Sequence, residues 1–162
     1  MIEMYCDGSS RGNPGKGGWG LVIIKENSVI DRHGQQYEQL VTNNQMELCA
    51  LLTAIHIAST RYWNEQVTIY CDSAYCVNIC NDWIFSWATN GWKNSKKQQI
   101  ENYEIIKKLW EYVEYPKGRW TVKKCSGHKG IIGNELADAI AANNQEKFIK
   151  ILRENEILYE QE

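Results

Sequence analysis

Two short apolar runs that each stop at an aspartate constrain this chain most. Ile2 to Cys6 ends at Asp7, and Val67 to Cys71 ends at Asp72. Both read as strands, the first by alternation and the second by its β-branched content. If they are parallel neighbours, both carboxylates fall at the carboxyl edge of a sheet, where open α/β sheets hold ligands. Two further acids, Glu47 and Asp138, lie in helix-like runs. Converging carboxylates repel one another, and a hard divalent cation is the usual remedy. A set of Asp and Glu without His or Cys ligands suits Mg²⁺ or Mn²⁺, and the chemistry that uses it most is in-line displacement at phosphorus.

The flanking sequence predicts the frame around these acids. Gly8 to Gly18, rich in Gly, Ser, Asn and Pro, reads as a loop. Trp19 to Lys25 and Val29 to Tyr37 read as a hairpin turning at Asn27-Ser28. Thr42-Asn43-Asn44 supplies cap residues for a helix from Met46 to Thr60. Ser73 caps a short helix from Ala74 to about Asn81, and the aromatic run Trp83 to Trp92 is broken by Gly91. Gln98 to Val113 is amphipathic and predicts a helix. Arg119 to Cys125 predicts a strand, and Ser126 to Gly133 a loop. A last helix starts at Gly133-Asn134, runs to about Asn144 and is expected to extend into the tail. Strands followed by strand–helix alternation imply an α/β fold with a mixed sheet and helices on its faces.

A chain of 162 residues suits one domain with its own core. Net charge is −2, but Lys93 to Lys129 holds ten basic and four acidic side chains, so the rest of the chain is strongly acidic. That asymmetry points towards nucleic acid, with an ordinary solvated face as the alternative. The six cysteines form no Cys-x-x-Cys pair and sit mostly in apolar runs, so zinc is not expected. No signal peptide is apparent and no apolar run approaches a membrane span, so a cytoplasmic, reducing setting and no membrane are expected.

The residues around the acids carry a resemblance. Asp7-Gly-Ser-Ser-Arg-Gly-Asn-Pro-Gly-Lys-Gly-Gly-Trp-Gly, Thr42-Asn-Asn-Gln-Met-Glu47-Leu, Tyr70-Cys-Asp72-Ser-Ala-Tyr, Gly127-His128-Lys-Gly and Asn134-Glu-Leu-Ala-Asp138 occur in the order seen in type 1 ribonuclease H. The resemblance spans about residues 2 to 145. It implies a ribonuclease H-like fold: a five-stranded mixed sheet, three antiparallel strands plus two parallel ones, flanked by helices. It implies hydrolysis of the RNA strand of an RNA–DNA hybrid, leaving 5′-phosphate and 3′-hydroxyl ends. Asp7, Glu47, Asp72 and Asp138 match the family's metal-binding acids, for two Mg²⁺ ions with Mn²⁺ as a substitute. His128 matches its mobile-loop histidine, a proton carrier or an aid to product release. Taken singly, Asp72 is as readily a helix cap, and Glu47, Asp138 and His128 are more often plain surface.

The same resemblance assigns substrate contacts. Asn13 and Asn44 match RNA-side contacts, Asn43 a DNA-side contact, and Thr42 part of a DNA phosphate pocket. Gly12-Asn13-Pro14-Gly15 would also form a turn in any protein. Trp83, Trp87 and Trp92, beside Lys93, Lys96 and Lys97, resemble the family's basic protrusion, here about residues 82–98. Ser86 to Asn90 holds no cation, so the grip on substrate should be weaker than in a strongly basic protrusion. Trp83 is expected in the core, with Trp87 or Trp92 facing DNA. The tail, 146–162, should pack on its own domain, with a partner-binding helix as the less favoured role, and the protein is expected to be a monomer. Two other readings fit less well: a hybrid-binding module without catalysis, and an integrase-like phosphoryl-transfer domain.

Overall fold

A computed structural model describes residues 1–126 and 130–160. Its sheet has the order β5-β4-β1-β2-β3-β6. Strands β1 (Ile2–Gly12), β2 (Gly15–Lys25) and β3 (Ser28–Val41) form an antiparallel meander. β4 (Gln66–Cys71) lies parallel to β1, and β5 (Arg119–Lys124) parallel to β4. The expected mixed sheet is present, with a sixth strand added: β6 (Leu158–Tyr159) pairs parallel to β3. A two-residue strand has no periodicity of its own. It forms because the tail returns to an open sheet edge, where the Leu158 nitrogen donates to the Asn27 carbonyl.

Alternation sends the sheet's side chains to two cores. Ile2, Met4, Cys6, Leu21 and Ile23 face α1 (Asn43–Thr60) and the larger core. Val22 and Val29 face α5 (Ile132–Ala141) and α6 (Gln145–Glu154) in a second one, with Leu136, Phe148 and Ile151. Helix α1 starts with a capping box. Thr42 Oγ1 accepts from the Gln45 nitrogen at 3.1 Å, and the Thr42 nitrogen donates to Gln45 Oε1 at 2.8 Å.

Three expectations change in the structure. The Gly8–Gly18 loop is the far end of a long hairpin, with Ser9 opposite Gly18 and Ser10 opposite Gly17. Gly8 serves close approach, since a Cβ there would overlap the Met46–Glu47 backbone of α1, and Gly12 takes a positive φ of 88° at the turn itself. The Gln98 helix begins only at α4 (Tyr103–Glu114). Residues before it fold back on Trp92 to Asn94 instead, where the Ile100 nitrogen donates to the Trp92 carbonyl and Lys93 bridges Gln99. The last helix is not continuous, because Asn143 takes a left-handed conformation and Asn144 caps α6 as a separate helix.

The segment from Ser73 is one bent helical run. It comprises α2 (Ala74–Asn78), a π-helical turn (Ile79–Trp83) and α3 (Ile84–Asn90), closed by left-handed Gly91.

Candidate active site

β1 and β4 are in register with Cys6 opposite Cys71, so Asp7 and Asp72 follow at adjacent positions on the sheet. The two helices that bring the other acids pack on opposite faces. α1 closes on β1 over Gly8 and delivers Glu47. α5 closes on β2 over Gly20, where a Cβ would overlap the Ala137 carbonyl oxygen, one residue before Asp138. Both contacts need a residue without a side chain.

Asp7 is 6 % exposed and Glu47 9 %. The Asp7 carboxyl lies beside those of Glu47, Asp72 and Asp138. Burial, then the charges of Asp72 and Asp138, push Asp7 up to about 8. Burial, then the neighbouring Cys71, Asp7 and Asp72 groups, push Glu47 up to about 11. Asp72 is also raised, by burial first and then by Cys71, while a backbone hydrogen bond and the Asn134 side chain hold it back. Asp138 is more open, and its Oδ2 accepts from Lys147 Nζ at 2.6 Å.

The structure therefore gathers all four predicted acids. The anionic forms of Asp7, Glu47 and Asp72 are costly in this setting, because burial removes water without supplying enough positive charge. Such a group of oxygen donors fits a hard divalent cation, which would restore the charged forms. The ligand atoms of Glu47, Cys71 and Asp72 lie within 4.8 Å of one another. The Cys71 thiol donates to Glu47 Oε2 at 3.7 Å.

Asn134, Cys71 and Lys147 were not picked out by sequence reasoning. Asn134 is 7 % exposed and sits four residues before Asp138, on the same helix face. That i, i+4 spacing was its available signal. Lys147 carried none, because its reach depends on the turn between α5 and α6.

The substrate-side expectations meet a mixed outcome. The Asn13 and Asn43 side chains tie the hairpin end to α1: Asn13 Oδ1 accepts from the Asn43 nitrogen at 3.1 Å, and Asn43 Oδ1 from the Ser10 nitrogen at 2.7 Å. Asn44 is exposed, and Thr42 serves the helix cap. Lys93, Lys96 and Lys97 are all exposed. The expected division among the tryptophans is different. Trp83 is 38 % exposed, Trp87 half-buried and Trp92 only 9 % exposed. After Gly91 the chain doubles back and inserts Trp92 beside Tyr103 and Trp110 of α4, with Lys107 Nζ 5.1 Å from its ring centre. Trp92 is thus a packing residue rather than a surface one. His128 lies outside the described residues.

The RNase H family model matches residues 1–146, which include all four acids. The chain belongs to the RNase H family. Among its relatives, the ribonuclease H of Syntrophomonas wolfei is 38 % identical over 143 residues, 88 % of this chain and 94 % of that one. That of Orientia tsutsugamushi is 34 % identical over 155 residues, 96 % and 88 % of the respective chains. Solved structures show the same fold. The PFV RNase H domain superimposes with a TM-score of 0.74 at 24 % identity, covering 90 % of this chain and 94 % of that domain. LC11-RNase H1, solved in complex with an RNA/DNA hybrid, gives 0.64 at 21 % identity, covering 92 % and 99 %. As an RNase H enzyme with an acidic cluster, the chain has the parts of a metal-dependent nuclease.

Proposed function

We propose that this RNase H hydrolyses the RNA strand of RNA–DNA hybrids as an endonuclease, with Asp7, Glu47, Asp72 and Asp138 holding two Mg²⁺ ions. The convergence of four carboxyl groups, two of them buried and pushed well above the ordinary carboxylate range, carries the reading. Folding alone does not favour burying Asp7 beside Glu47. A site that binds cations does.

In this reading Asp7 and Asp72, adjacent on β1 and at the end of β4, would hold the ions together with Glu47 and Asp138, Glu47 towards the leaving oxygen and Asp138 towards the attacking water. Bound divalent cations would lower the pKa of that water and neutralise charge on the departing 3′ oxygen, leaving 5′-phosphate and 3′-hydroxyl ends. Asn134, buried beside Asp72, favours the Asp72 carboxylate over its protonated form. Gly8 and Gly20 hold the two helices close enough for their acids to meet. His128 is assigned the movement of protons, a task suited to a group that titrates near neutrality.

Asn13 and Asn44, at the hairpin end and the start of α1, are assigned to the RNA strand of the hybrid, where 2′-hydroxyls distinguish RNA from DNA, and Asn43 to the DNA strand. Lys93, Lys96 and Lys97 are assigned to phosphates. Trp87, half-buried on the same segment, is the tryptophan retained from the sequence reading as a substrate contact. The protein is proposed to act as a monomer. Among the described residues no helix is long and apolar enough to cross a membrane.

The test uses end-labelled RNA–DNA hybrid, RNA duplex and DNA duplex, each with Mg²⁺, Mn²⁺ or EDTA. Cleavage confined to the RNA of the hybrid and abolished by EDTA is the expected result. Cleavage of duplex DNA, or no metal dependence, would overturn the proposal.

A further inference from the structure

Lys147 is the first residue beyond the segment matched by the RNase H family, yet its ammonium lies in the candidate site. Its Nζ is 2.6 Å from Oδ2 of Asp138. The root of this side chain is fixed by three features of α6. The Lys147 nitrogen donates to the capping Asn144 Oδ1 at 3.0 Å. The Asn144 nitrogen donates to the Ala139 carbonyl of α5 at 2.8 Å, closing the turn between the helices. The next residue, Phe148, is 2 % exposed in the second core, with Ile151 at 8 % one turn on. A helix anchored this way keeps the ammonium within reach of Asp138.

We infer that Lys147 is an internal competitor for the cation at Asp138, so that the C-terminal helix sets how tightly the site takes metal. The inference rests on the metal-binding reading above. An ammonium at this distance takes up part of the negative charge and one acceptor site of the Asp138 carboxylate. An ion bound there must displace Lys147 or sit near its positive charge. Both side chains of the pair are partly exposed, at 40 % and 47 %. Solvent therefore screens the attraction, and the pair resists displacement weakly. The residual repulsion between ammonium and ion is screened likewise. The two effects together predict a change of roughly three- to tenfold in metal affinity, not several orders of magnitude.

The experiment titrates Mn²⁺ into the full chain without substrate, by calorimetry and by the electron paramagnetic resonance signal of free Mn²⁺. It compares the parent with Lys147→Met, which keeps the aliphatic stem, and Lys147→Arg, which keeps the charge. Lys147→Met should bind roughly three- to tenfold more tightly, and Lys147→Arg should stay near the parent. In an Asp138→Asn background the gain from Lys147→Met should shrink, since the ion pair is already broken and only the repulsion between ammonium and ion is left to relieve. Equal affinity of the parent and Lys147→Met would overturn the inference and leave the metal reading standing. So would a gain that is undiminished without Asp138. No Mn²⁺ binding by either protein would overturn the metal reading, and the inference with it.

Discussion

The acid cluster and the aromatic segment at residues 82–98 bury opposite kinds of residue. In the acid cluster the buried groups are carboxyls, Asp7 and Glu47. In the aromatic segment the most buried tryptophan is Trp92, and the lysines stay outside. Burying a large ring is what folding favours by itself, so the position of Trp92 needs no functional explanation. Burying two carboxyls side by side opposes folding, so their position does. Burial is therefore evidence of function for the acids and evidence of packing for Trp92.

The widest separation between the two regions should come from substitutions that remove an acid from one and the buried ring from the other. Asp72→Asn should lower hybrid cleavage by roughly three orders of magnitude or more. The metal-free protein should hold its melting temperature or gain, because carboxylate repulsion is relieved. Cleavage within tenfold of the parent would remove Asp72 from the site.

Trp92→Ala should show the reverse pattern. It should cost about 3–5 kcal/mol of stability in urea denaturation, as large aromatic truncations in cores do. Trp83→Ala, at a site 38 % exposed, should cost less than about 1 kcal/mol. Equal costs would show that Trp92 is less well packed than its surroundings indicate.

Acidity sharpens the comparison, because the acid cluster alone should respond to it. Asp7 and Glu47 are raised, so the native state keeps protons that the unfolded chain gives up from about pH 4 upward. The stability of the metal-free protein should fall as pH rises from there through about 8, the Asp7 value, and further towards about 11 for Glu47. A loss on the order of a few kcal/mol between pH 5 and pH 8 is expected from denaturation in EDTA. Saturating Mg²⁺ should flatten the decline. A metal-free stability that rises over that interval would mean these acids are already compensated.

The smallest effect belongs to the exposed lysines. Replacing Lys93, Lys96 and Lys97 with alanine should reduce the salt slope of hybrid binding by about two to three units. The cleavage rate at saturating hybrid should barely change. An unaltered slope would show that this segment contributes packing alone, and Lys123-Lys124 on β5 would become the next candidates.

Local signals carried much of the fold. β4 and β5 were legible from β-branched or alternating runs, and Thr42 from its cap position ahead of a helix. Other elements were obscured because their pairing partners lie far away in sequence. The glycine-rich stretch after Asp7 looked like a loop until the β1–β2 ladder supplied its hydrogen bonds. Gln98 to Asn102 had the spacing of a helix, but its backbone found partners in Trp92 to Asn94. β6 exists only because an open edge of β3 was within reach of the tail.

For the site, the sequence by itself determined the four acids, through their order and the residues around them. Each local context is set by nearest neighbours: the end of an apolar run for Asp7 and Asp72, a helix for Glu47 and Asp138. The structure carries β1 on past Asp7 to Gly12, so that only Asp72 stands at a strand end. Tertiary structure alone decided which of these acids lose their water, that Asn134 lies buried beside Asp72, and that Lys147 reaches Asp138. It also decided that Trp92 turns inward while Trp83 stays partly exposed. Spacing along the chain reports which face of an element a residue occupies. Burial and charge pairing depend on what packs against that face, and α1, α5 and α6 meet the sheet only when the whole chain has folded.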